Sequence, residues 1–181
     1  MRKHIEYPNL EALLQPKSIA IVGASEDITK PAGLPLYFAL KHKYQGKIFP
    51  VNPKRETVQD LKCYPSILDI PDEVDAALIV VPAAAVVGIL GECPRAGRQV
   101  VQRRVSGFAE LGGEGKERQD EIEEIARASE MIICGPNTNG LLNVYGKVSL
   151  GYSYAQEIVT PGRLAYVTQS GALLSASAPR L

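Results

Sequence analysis

The sequence predicts an α/β protein with a mostly parallel sheet that is covered by helices on both faces. Short, continuous apolar segments alternate along the chain at least four times with segments that have the periodicity of a helix. Continuous apolar runs are typical of strands buried on both faces, and strand–helix alternation is typical of right-handed βαβ units. The chain also contains 16 glycines and 13 prolines among 181 residues, which favours many short loops over a helical bundle.

Five apolar segments are predicted to form the strands of this sheet. The clearest is the run at residues 75–81, which is bounded by an aspartate and a proline. Pro50 interrupts the second segment, which predicts an imperfect ladder or an edge strand. A further short strand is expected at residues 63–65, whereas residues 57–61 are too few to assign. The five segments are residues 18–23, 47–51, 75–81, 99–105 and 131–134.

Helical segments are predicted between these strands, and Ser66 is expected to cap a further short turn. In the last of them, Ile122 and Ile125 lie three residues apart on one face, and the many acidic residues around them predict a solvated outer face. The helical segments are residues 9–14, 33–43, 83–92 and 114–130.

Length and charge limit the classes of function. A chain of 181 residues can bury one full core, since domains average about 150 residues. Twenty basic and twenty acidic residues give zero net charge, which argues against a protein that binds nucleic acid or a membrane surface. Three separated cysteines and two isolated histidines have no metal-ligand spacing, so no metal site is expected.

The sequence also predicts a protein without a targeting or membrane segment. The first residues contain charges but no apolar run that would make a signal peptide. The longest uncharged stretch, residues 76–91, contains Pro82 and is too short to cross a bilayer. We therefore expect a cytoplasmic protein whose cysteines are reduced.

The pattern of strands and helices predicts two domains, at residues 9–150 and 162–181. The first contains all five strands. A break at residues 154–162 predicts a linker, and a strand at residues 163–167 followed by a helix from Ala172 predicts the opening of the second domain. One strand and half a helix cannot bury a core, so the second domain is expected to be truncated.

The loops after the first two strands favour a nucleotide ligand other than NAD. Gly23 follows the first strand, but the further glycines of the G-x-G-x-x-G fingerprint are absent. The second strand is followed by Lys54 instead of an acidic residue that would hold the ribose of NAD. A cation at this position suits a ligand with an additional phosphate, so an NAD-dependent dehydrogenase is disfavoured.

Seven short motifs follow one another in a fixed order. Together they resemble the N-terminal part of the NDP-forming acyl-CoA synthetases, a family that includes ADP-forming acetate–CoA ligases and is related to the α subunit of succinate–CoA ligase. The resemblance covers about residues 9–176. The motifs are SIAIVGAS from Ser18, VNPK from Val51, CYPS from Cys63, LIVVPA from Leu78, SGFAE from Ser106, GPNTxG from Gly135 and TQSGA from Thr168.

This resemblance implies a Rossmann-like CoA-binding domain followed by the first strand and helix start of a flavodoxin-like ligase domain. It implies a reaction that joins a carboxylic acid to CoA, with conversion of ATP to ADP and phosphate, through an acyl phosphate and a phosphohistidine. CoA would bind this chain, whereas ATP or ADP and Mg²⁺ would bind only domains beyond it. The implied partners are a small carboxylic acid and a complementing chain with ligase and ATP-grasp domains, with no nucleic acid or membrane.

The resemblance also implies an order of contacts along CoA. The loop after the first strand would contact the phosphates, and Lys54 would lie near the ribose phosphate. The turn at Ser170 and Gly171 would cradle the phosphate of the phosphohistidine, because a helix N-terminus offers free N–H groups to an anion. The implied CoA contacts are Gly23, Ala24, Ser25 and Lys30 at the phosphates, Asn52, Pro53 and Lys54 at the adenosine end, Val81 and Pro82 along the pantetheine, and Val105, Ser106, Gly107, Asn137 and Thr138 at the thiol end.

Two features depart from the family pattern. The histidine that the family phosphorylates lies past the end of this chain, since neither His4 nor His42 is in a matching motif, so the isolated chain is expected to bind CoA without turnover. Arg103 and Arg104 stand where the family has a buried apolar strand, and unpaired arginines do not face a core. An edge strand, contact with ligand phosphates and local sequence damage each explain the pair, and exposure or damage is favoured over function.

Two alternatives to the ligase stay open. The chain also fits a non-catalytic CoA-binding module or subunit. A further alternative is the N-terminal part of a protein lysine acetyltransferase, since in some family members an acetyltransferase domain follows the same ligase-like domains. A histidine-bearing domain encoded downstream would favour the ligase.

Overall fold

The computed structural model describes residues 10–94, 100–103, 106–129, 131–151 and 160–177, with only the backbone of residues 100–103. Short 3-10 turns form at Ile67–Asp69 and Ala109–Leu111. The other elements, in chain order, are α1 (Glu11–Leu14), β1 (Ser18–Val22), α2 (Leu34–Lys41), β2 (Lys47–Val51), β3 (Thr57–Val58), β4 (Leu61–Lys62), β5 (Ala76–Ile79), α3 (Ala83–Glu92), β6 (Val100–Arg103), α4 (Gly113–Ser129), β7 (Ile132–Cys134), β8 (Gly140–Asn143), β9 (Val148–Gly151) and α5 (Gly171–Ser177).

The central layer is a five-stranded sheet in the spatial order β2-β1-β5-β6-β7. Every pairing within it is parallel, so the predicted α/β class is confirmed. β2 lies at the edge, as its proline predicted, and Pro50 is opposite Ile21 of β1. The strand order reverses between β1 and β5, which is the position where sheets of this kind bind ligands.

Helices α3 and α4 cover one face of the sheet. Ala20 and Val22 of β1 belong to the same core cluster as Ile79 of β5. Val86 and Leu90 of α3 complete this cluster, and both are fully buried. Their spacing of four residues gives α3 the apolar stripe that a helix needs to pack on a sheet.

Helix α4 has one apolar stripe and an otherwise charged surface. Ile122 is buried, and Ile125 packs against the same cluster as α3. Exposed ion pairs of i,i+4 spacing, such as Lys116–Asp120, line the outer side, so the predicted solvated face is confirmed. Exposed pairs of this kind contribute little to stability, because water screens them. Within the described residues, none of the helices combines the length and the apolar composition that crossing a bilayer requires.

Helix α2 and the β8–β9 hairpin lie on the opposite face. Ile19 of β1 and Leu78 of β5 form a second core cluster with Ala39 of α2 and with Val148 and Leu150 of β9. The sequence did not predict this hairpin, because its two strands have only four residues each and contain glycine, serine and asparagine. The hairpin therefore completes a face that the predicted elements would have left partly open.

A long-range hydrogen bond ties the hairpin to the beginning of the described chain. Nδ2 of Asn143 donates to the carbonyl of Leu14 at 2.8 Å, across 129 residues of sequence. Leu13 of α1 is buried in the same cluster as β9. The short helix α1 and the hairpin are thus held together on one side of the sheet.

The amino ends of β1 and β5 are joined by a hydrogen-bond network. Asp75 accepts the backbone N–H groups of Lys17 at 2.6 Å and Ser18 at 3.2 Å, and its own N–H donates to the Ser18 hydroxyl at 2.9 Å. The Tyr44 hydroxyl donates to the carbonyl of Pro16 at 2.5 Å. Burial, and then the charge of Asp75, raise the pKa of Tyr44. These contacts fix the register of the two strands at the edge opposite the loops described below.

Short segments after β2 differ in part from the sequence prediction. Residues 57–62 form the β3–β4 hairpin, whose strands of two residues each are too short to give a periodic pattern. Residues 63–65 form a single bridge, between Tyr64 and Val51, in place of the predicted strand. The turn capped by Ser66 is confirmed, and Asp69 completes a capping box with it.

Residues 163–167 do not form the predicted strand. This segment has no regular hydrogen bonding, and Val167 is 97% exposed. A strand needs a neighbour to satisfy its backbone groups, and none of the described strands pairs with it. Helix α5 then begins at Gly171, one residue before the predicted start. Most of the predicted linker at 154–162 lies outside the described residues.

The edge-strand explanation for the arginine pair is wrong. The segment predicted at residues 99–105 forms β6, which lies between β5 and β7 in the interior of the sheet. The side chain of Arg103 and all of Arg104 lie outside the described part of the chain. The other two explanations, contact with ligand phosphates and local sequence damage, therefore stay predictions.

We expect Leu78→Ala to lower the free energy of unfolding by about 2–5 kcal/mol, because Leu78 is buried in an interior strand and truncation leaves a cavity. Leu111→Ala is the matched control. The same change at a side chain that is 73% exposed should alter the stability by less than about 0.5 kcal/mol. Urea unfolding followed by circular dichroism measures both variants, and equal losses would contradict the assigned core.

Candidate functional site

Five loops meet at the carboxyl edge of the sheet. Because the five strands are parallel, they all end on the same side. Neighbouring strands lie about 4.8 Å apart, so the row of loops from β2 to β7 extends over about 19 Å. An elongated ligand laid across this edge would contact segments that are far apart in the sequence.

Gly23 directly follows β1, at a position where no larger residue fits. Its φ is +89°, and a Cβ added to it would overlap the carbonyl oxygen of Val80 and lie 2.8 Å from Cγ1 of Val81. The glycine therefore lets the loops after β1 and β5 touch at the point where the strand order reverses. Close packing against Val80 and Val81 therefore explains why residue 23 is a glycine. The contact of Gly23 with a phosphate, which the resemblance implied, stays a prediction.

The first three N–H groups of the loop after β1 donate within the protein. The N–H groups of Gly23 and Ala24 both donate to the carbonyl of Val51, at 2.8 and 3.3 Å, and the N–H of Ser25 donates to the carbonyl of Ala32 at 3.2 Å. The Ser25 hydroxyl accepts one backbone N–H at 3.2 Å and keeps its own proton to donate. In this turn, the half-buried hydroxyl of Ser25 is the group best placed to meet a ligand.

Lys30 lies farther along the same loop and is exposed. Its Nζ is 3.1 Å from Oδ2 of Asp27. Hydrogen bonds from the Thr29 side chain and then from Lys30 lower the pKa of the Asp27 carboxyl group. An exposed ion pair of this kind is weak, so a phosphate could recruit Lys30 at small cost.

Asn52 joins the first loop to the second. Its Nδ2 donates to the carbonyl of Ala24, and its Oδ1 accepts the N–H of Lys54, both at 2.9 Å. Both ends of the amide therefore hold the backbone. The side chains of Pro53 and Lys54 are exposed, so this turn presents a cation at the β2 end of the row.

Helices α2 and α3 begin at this edge without acidic residues or side-chain caps. Gly33 precedes α2 and Pro82 precedes α3, and neither helix has an acidic residue in its first turn. At α2, however, the carbonyl of Lys30 accepts the N–H groups of Gly33 and Leu34 at 3.0 and 3.4 Å, and Pro35 has no N–H, so the start of α3 is the better placed of the two to attract an anion. Val81 is half-buried and Pro82 is exposed, which places both in the middle of the row.

The loop after β6 folds back on the start of α3. The N–H of Gly107 donates to Oε1 of Glu110 at 2.6 Å. A Cβ added to Gly107, whose φ is +114°, would lie 3.1 Å from the Cβ of Ala83. Gly107 and the exposed Ser106 therefore lie next to the first residue of α3. Val105, also predicted at the site, lies outside the described residues.

The loop after β7 lies beside the start of α5. A Cβ added to Gly171 would overlap the side chain of Asn139. The Thr138 hydroxyl accepts the N–H of Gly140 at 3.2 Å, and Asn137 is exposed. The structure therefore brings the predicted residues Asn137 and Thr138 close to the turn that was predicted to hold a phosphate.

Ser170 caps the short helix α5. Its hydroxyl accepts the N–H of Leu173 at 3.2 Å, and its own N–H donates to the Thr168 hydroxyl at 3.0 Å. This capping explains the serine without a ligand, and its contact with a phosphate stays a prediction.

The cysteines near the edge are not activated nucleophiles. Burial raises the pKa of the Cys134 thiol, which a hydrogen bond with Thr138 partly opposes, and burial likewise raises the pKa of Cys63. Both thiols are therefore protonated at neutral pH. Throughout the described ranges, no group of three or more His, Cys, Asp and Glu residues could hold a metal ion.

A family model described as a CoA binding domain matches residues 17–143. This span contains the whole central sheet and the loops that follow its five strands. The chain belongs to the CoA-binding domain family.

This CoA-binding domain is also similar to segments of longer ligases. It is 41% identical over 176 residues to acetate–CoA ligase (ADP-forming) II of Archaeoglobus fulgidus, which covers 96% of this chain and 26% of that protein. It is 44% identical over 169 residues to acetate–CoA ligase (ADP-forming) I subunit alpha of Pyrococcus furiosus, which covers 91% of this chain and 36% of the subunit. The chain thus spans about a quarter to a third of these relatives.

A solved structure shows the same fold. It is the dinucleotide forming acetyl-coenzyme A synthetase 1 of Ca. Korarchaeum cryptofilum in complex with phosphate and ADP, and it matches with a TM-score of 0.88 at 35% identity. The match covers 95% of this chain and 36% of that one. The predicted Rossmann-like fold of the CoA-binding domain is therefore confirmed.

Sequence reasoning missed three residues at the edge of the CoA-binding domain. Glu110 accepts the N–H of Gly107, and the side chain of Asn139 packs on Gly171. Glu110 lies inside the SGFAE motif and Asn139 inside the GPNTxG motif, but neither residue was predicted to have a role at the site. Gln59, at the tip of the β3–β4 hairpin, donates hydrogen bonds to the first loop. The only signal for Gln59 was a short polar pair between two apolar residues, which is too weak to predict a contact.

We expect Gly23→Ala to lower the free energy of unfolding of the CoA-binding domain by at least about 2 kcal/mol, since a positive φ and the Val80 carbonyl both oppose a Cβ. Gly88→Ala is the matched control. Gly88 lies within α3, and a Cβ there meets nothing within 4 Å, so stability should rise by up to about 1 kcal/mol. Urea unfolding compares the two, and a neutral Gly23→Ala would refute the close approach.

Proposed function

We propose that this chain is the CoA-binding portion of an ADP-forming acyl-CoA ligase, which joins a carboxylic acid to CoA with conversion of ATP to ADP and phosphate. One observation carries the proposal. A row of five loops lies at the carboxyl edge of a CoA-binding domain that is 41% and 44% identical to proteins named as ADP-forming acetate–CoA ligases.

The residues at this edge fit an elongated, anionic ligand such as CoA. The start of α3, which has neither a side-chain cap nor an acidic residue, attracts negative charge, and Lys54 adds a cation at the β2 end. The two acidic residues of the first loop are engaged in internal hydrogen bonds: Glu26 accepts the N–H of Gln59 at 2.8 Å, and Asp27 pairs with Lys30. Their charges are therefore partly offset before a ligand arrives.

In this proposal CoA lies across the sheet from β2 to β7. The nucleotide lies over the loops after β2 and β1, the pantetheine crosses the start of α3, and the thiol ends near β6 and β7. Gly23 and Ala24 shape the first loop, and Ser25 and Lys30 bind the diphosphate. The remaining proposed contacts are Asn52, Pro53 and Lys54 at the adenosine end, Val81 and Pro82 along the pantetheine, and Val105, Ser106, Gly107, Asn137 and Thr138 at the thiol end.

The proposed role of these residues is to bind and orient, not to activate. CoA supplies the thiol that becomes the thioester. Ser106, Asn137 and Thr138, proposed for the thiol end, are neutral polar side chains that can hydrogen-bond but do not ionise near neutral pH. We therefore assign activation of the acid to partner ligase and ATP-grasp domains, which would bind ATP and Mg²⁺.

The proposal also keeps the two-domain organisation predicted from the sequence. The contacts of β9 with the central sheet support one domain that reaches residue 151. In the segment 160–177, Leu164, Val167 and Leu173 are 71%, 97% and 52% exposed, as expected of a segment whose packing partners belong to another domain. Ser170 and Gly171 are proposed to face the phosphate of a phosphohistidine supplied by that domain.

Calorimetric titration of the 181-residue chain with CoA, dephospho-CoA and NAD tests the proposal. We expect CoA to bind more tightly than dephospho-CoA, because Lys54 faces the additional ribose phosphate, and we expect NAD to bind weakly. Preference for NAD, or no binding of CoA by a chain that circular dichroism shows to be folded, would contradict the proposal.

Lys54→Ala should remove the preference for CoA over dephospho-CoA. The affinity for CoA should fall about tenfold, as expected from loss of a charged hydrogen bond, while that for dephospho-CoA stays unchanged. Lys17→Ala is the matched control, since it removes the same charge at the amino end of β1, on the opposite edge of the sheet. A similar loss in both variants would indicate a general charge effect and no phosphate contact.

A further inference from the structure

Gln59 connects the tip of the β3–β4 hairpin to the loop between β1 and α2. Its Nε2 donates to the carbonyl oxygens of Ser25 and Gly33, each at 2.9 Å. Its backbone N–H donates to Oε1 of Glu26 at 2.8 Å. One residue thus holds both the beginning and the end of the first loop, across 26 to 34 residues of sequence.

The backbone at this position is unfavourable for a glutamine. Gln59 has a φ of +49°, and Asp60, the next residue of the turn, has a φ of +65°. Tight hairpin turns of this kind prefer glycine, asparagine or aspartate, and another residue in the left-handed region costs about 1–3 kcal/mol. The hydrogen bonds of Gln59 to the first loop offset this cost, which links the strained turn to the geometry of the loop.

The bonds of Gln59 also decide which groups of the loop face outward. Nε2 of Gln59 binds the carbonyl oxygen of Ser25, and Nδ2 of Asn52 binds that of Ala24. The carbonyl of Gly33 also accepts the N–H of Tyr37, as the first acceptor within α2. Carbonyl oxygens that faced an anion would repel it. Binding the carbonyl oxygens of Ala24 and Ser25 to the β2–β4 segment leaves the Ser25 hydroxyl to meet a negative group.

We propose that Gln59 is a positioning residue for CoA. It holds the first loop in the conformation that receives the diphosphate, without itself touching the ligand. This inference rests on the proposed function, because it concerns the same CoA site, and it adds a residue outside the predicted contacts.

Gln59→Met tests the inference, because methionine has a similar length but cannot donate to a carbonyl. The affinity for CoA should fall about tenfold, as expected for the loss of two hydrogen bonds. The ratio of CoA to dephospho-CoA affinity should stay unchanged, since the proposed function assigns recognition of the ribose phosphate to Lys54 and not to Gln59. Gln45→Met is the matched control: the Gln45 amide also donates to a backbone carbonyl, that of Lys43 at 2.6 Å, but in the turn before β2. It should leave CoA affinity unchanged.

Hydrogen exchange of the ligand-free chain keeps this inference separate from the proposed function. In Gln59→Met the amides of residues 24–33 should exchange at least about tenfold faster, while those of β5 stay unchanged. Unchanged exchange in the loop would overturn the positioning role even if CoA binds to the unmodified chain. Failure of the unmodified chain to bind CoA would instead overturn the proposed function.

Gln59→Gly provides a second variant that should fold readily, since glycine suits a positive φ. We expect its thermal stability to be at least that of Gln59→Met, together with the same faster exchange of the loop and the same weaker binding of CoA. Faster exchange throughout the sheet in both variants would show a merely structural role and overturn the inference.

Discussion

The complete burial of β1 is the constraint on which the rest of the molecule depends. All five of its residues are buried, because β2 and β5 pair with its two sides and three core clusters cover its two faces. A strand held in this way has a single register. The position where β1 ends therefore decides where its neighbours' loops converge: the carbonyl of Val51 accepts the N–H of Gly23, and the N–H of Val80 donates to the carbonyl of Val22.

Much of the fold could be predicted from the sequence because its central sheet is parallel and three of the five strands in that sheet are interior. Such strands are buried on both faces and leave long apolar runs, and the crossover helices between them have their own period. The parts that could not be predicted are antiparallel and short. The β3–β4 and β8–β9 hairpins have two and four residues in each strand, and their packing partners lie far away in sequence.

The location of the site could be predicted from the sequence, but which of its polar groups already form hydrogen bonds within the protein could not. Parallel topology alone places the five loops on one edge. A glycine after a buried strand indicates that something approaches closely, but the sequence cannot distinguish a ligand from the carbonyl of Val80. In the same way, the sequence suggests that the Asn52 amide contacts a ligand. In the structure its Nδ2 donates to the carbonyl of Ala24 and its Oδ1 accepts the N–H of Lys54. The contribution of Gln59 depends on contacts 26 and 34 residues away, which no local pattern records.

The bond between Asn143 and the carbonyl of Leu14, with the packing of Val148 and Leu150 behind it, has a consequence for synthesis of the chain. A nascent polypeptide leaves the ribosome from its amino terminus, so β1 and β5 emerge long before the hairpin that covers one face of their sheet. Until the hairpin has been made, that face exposes Ile19 and Leu78, an apolar surface of the type that chaperones bind. Because this closure spans 129 residues, the domain can complete its folding only when its last strand has been made.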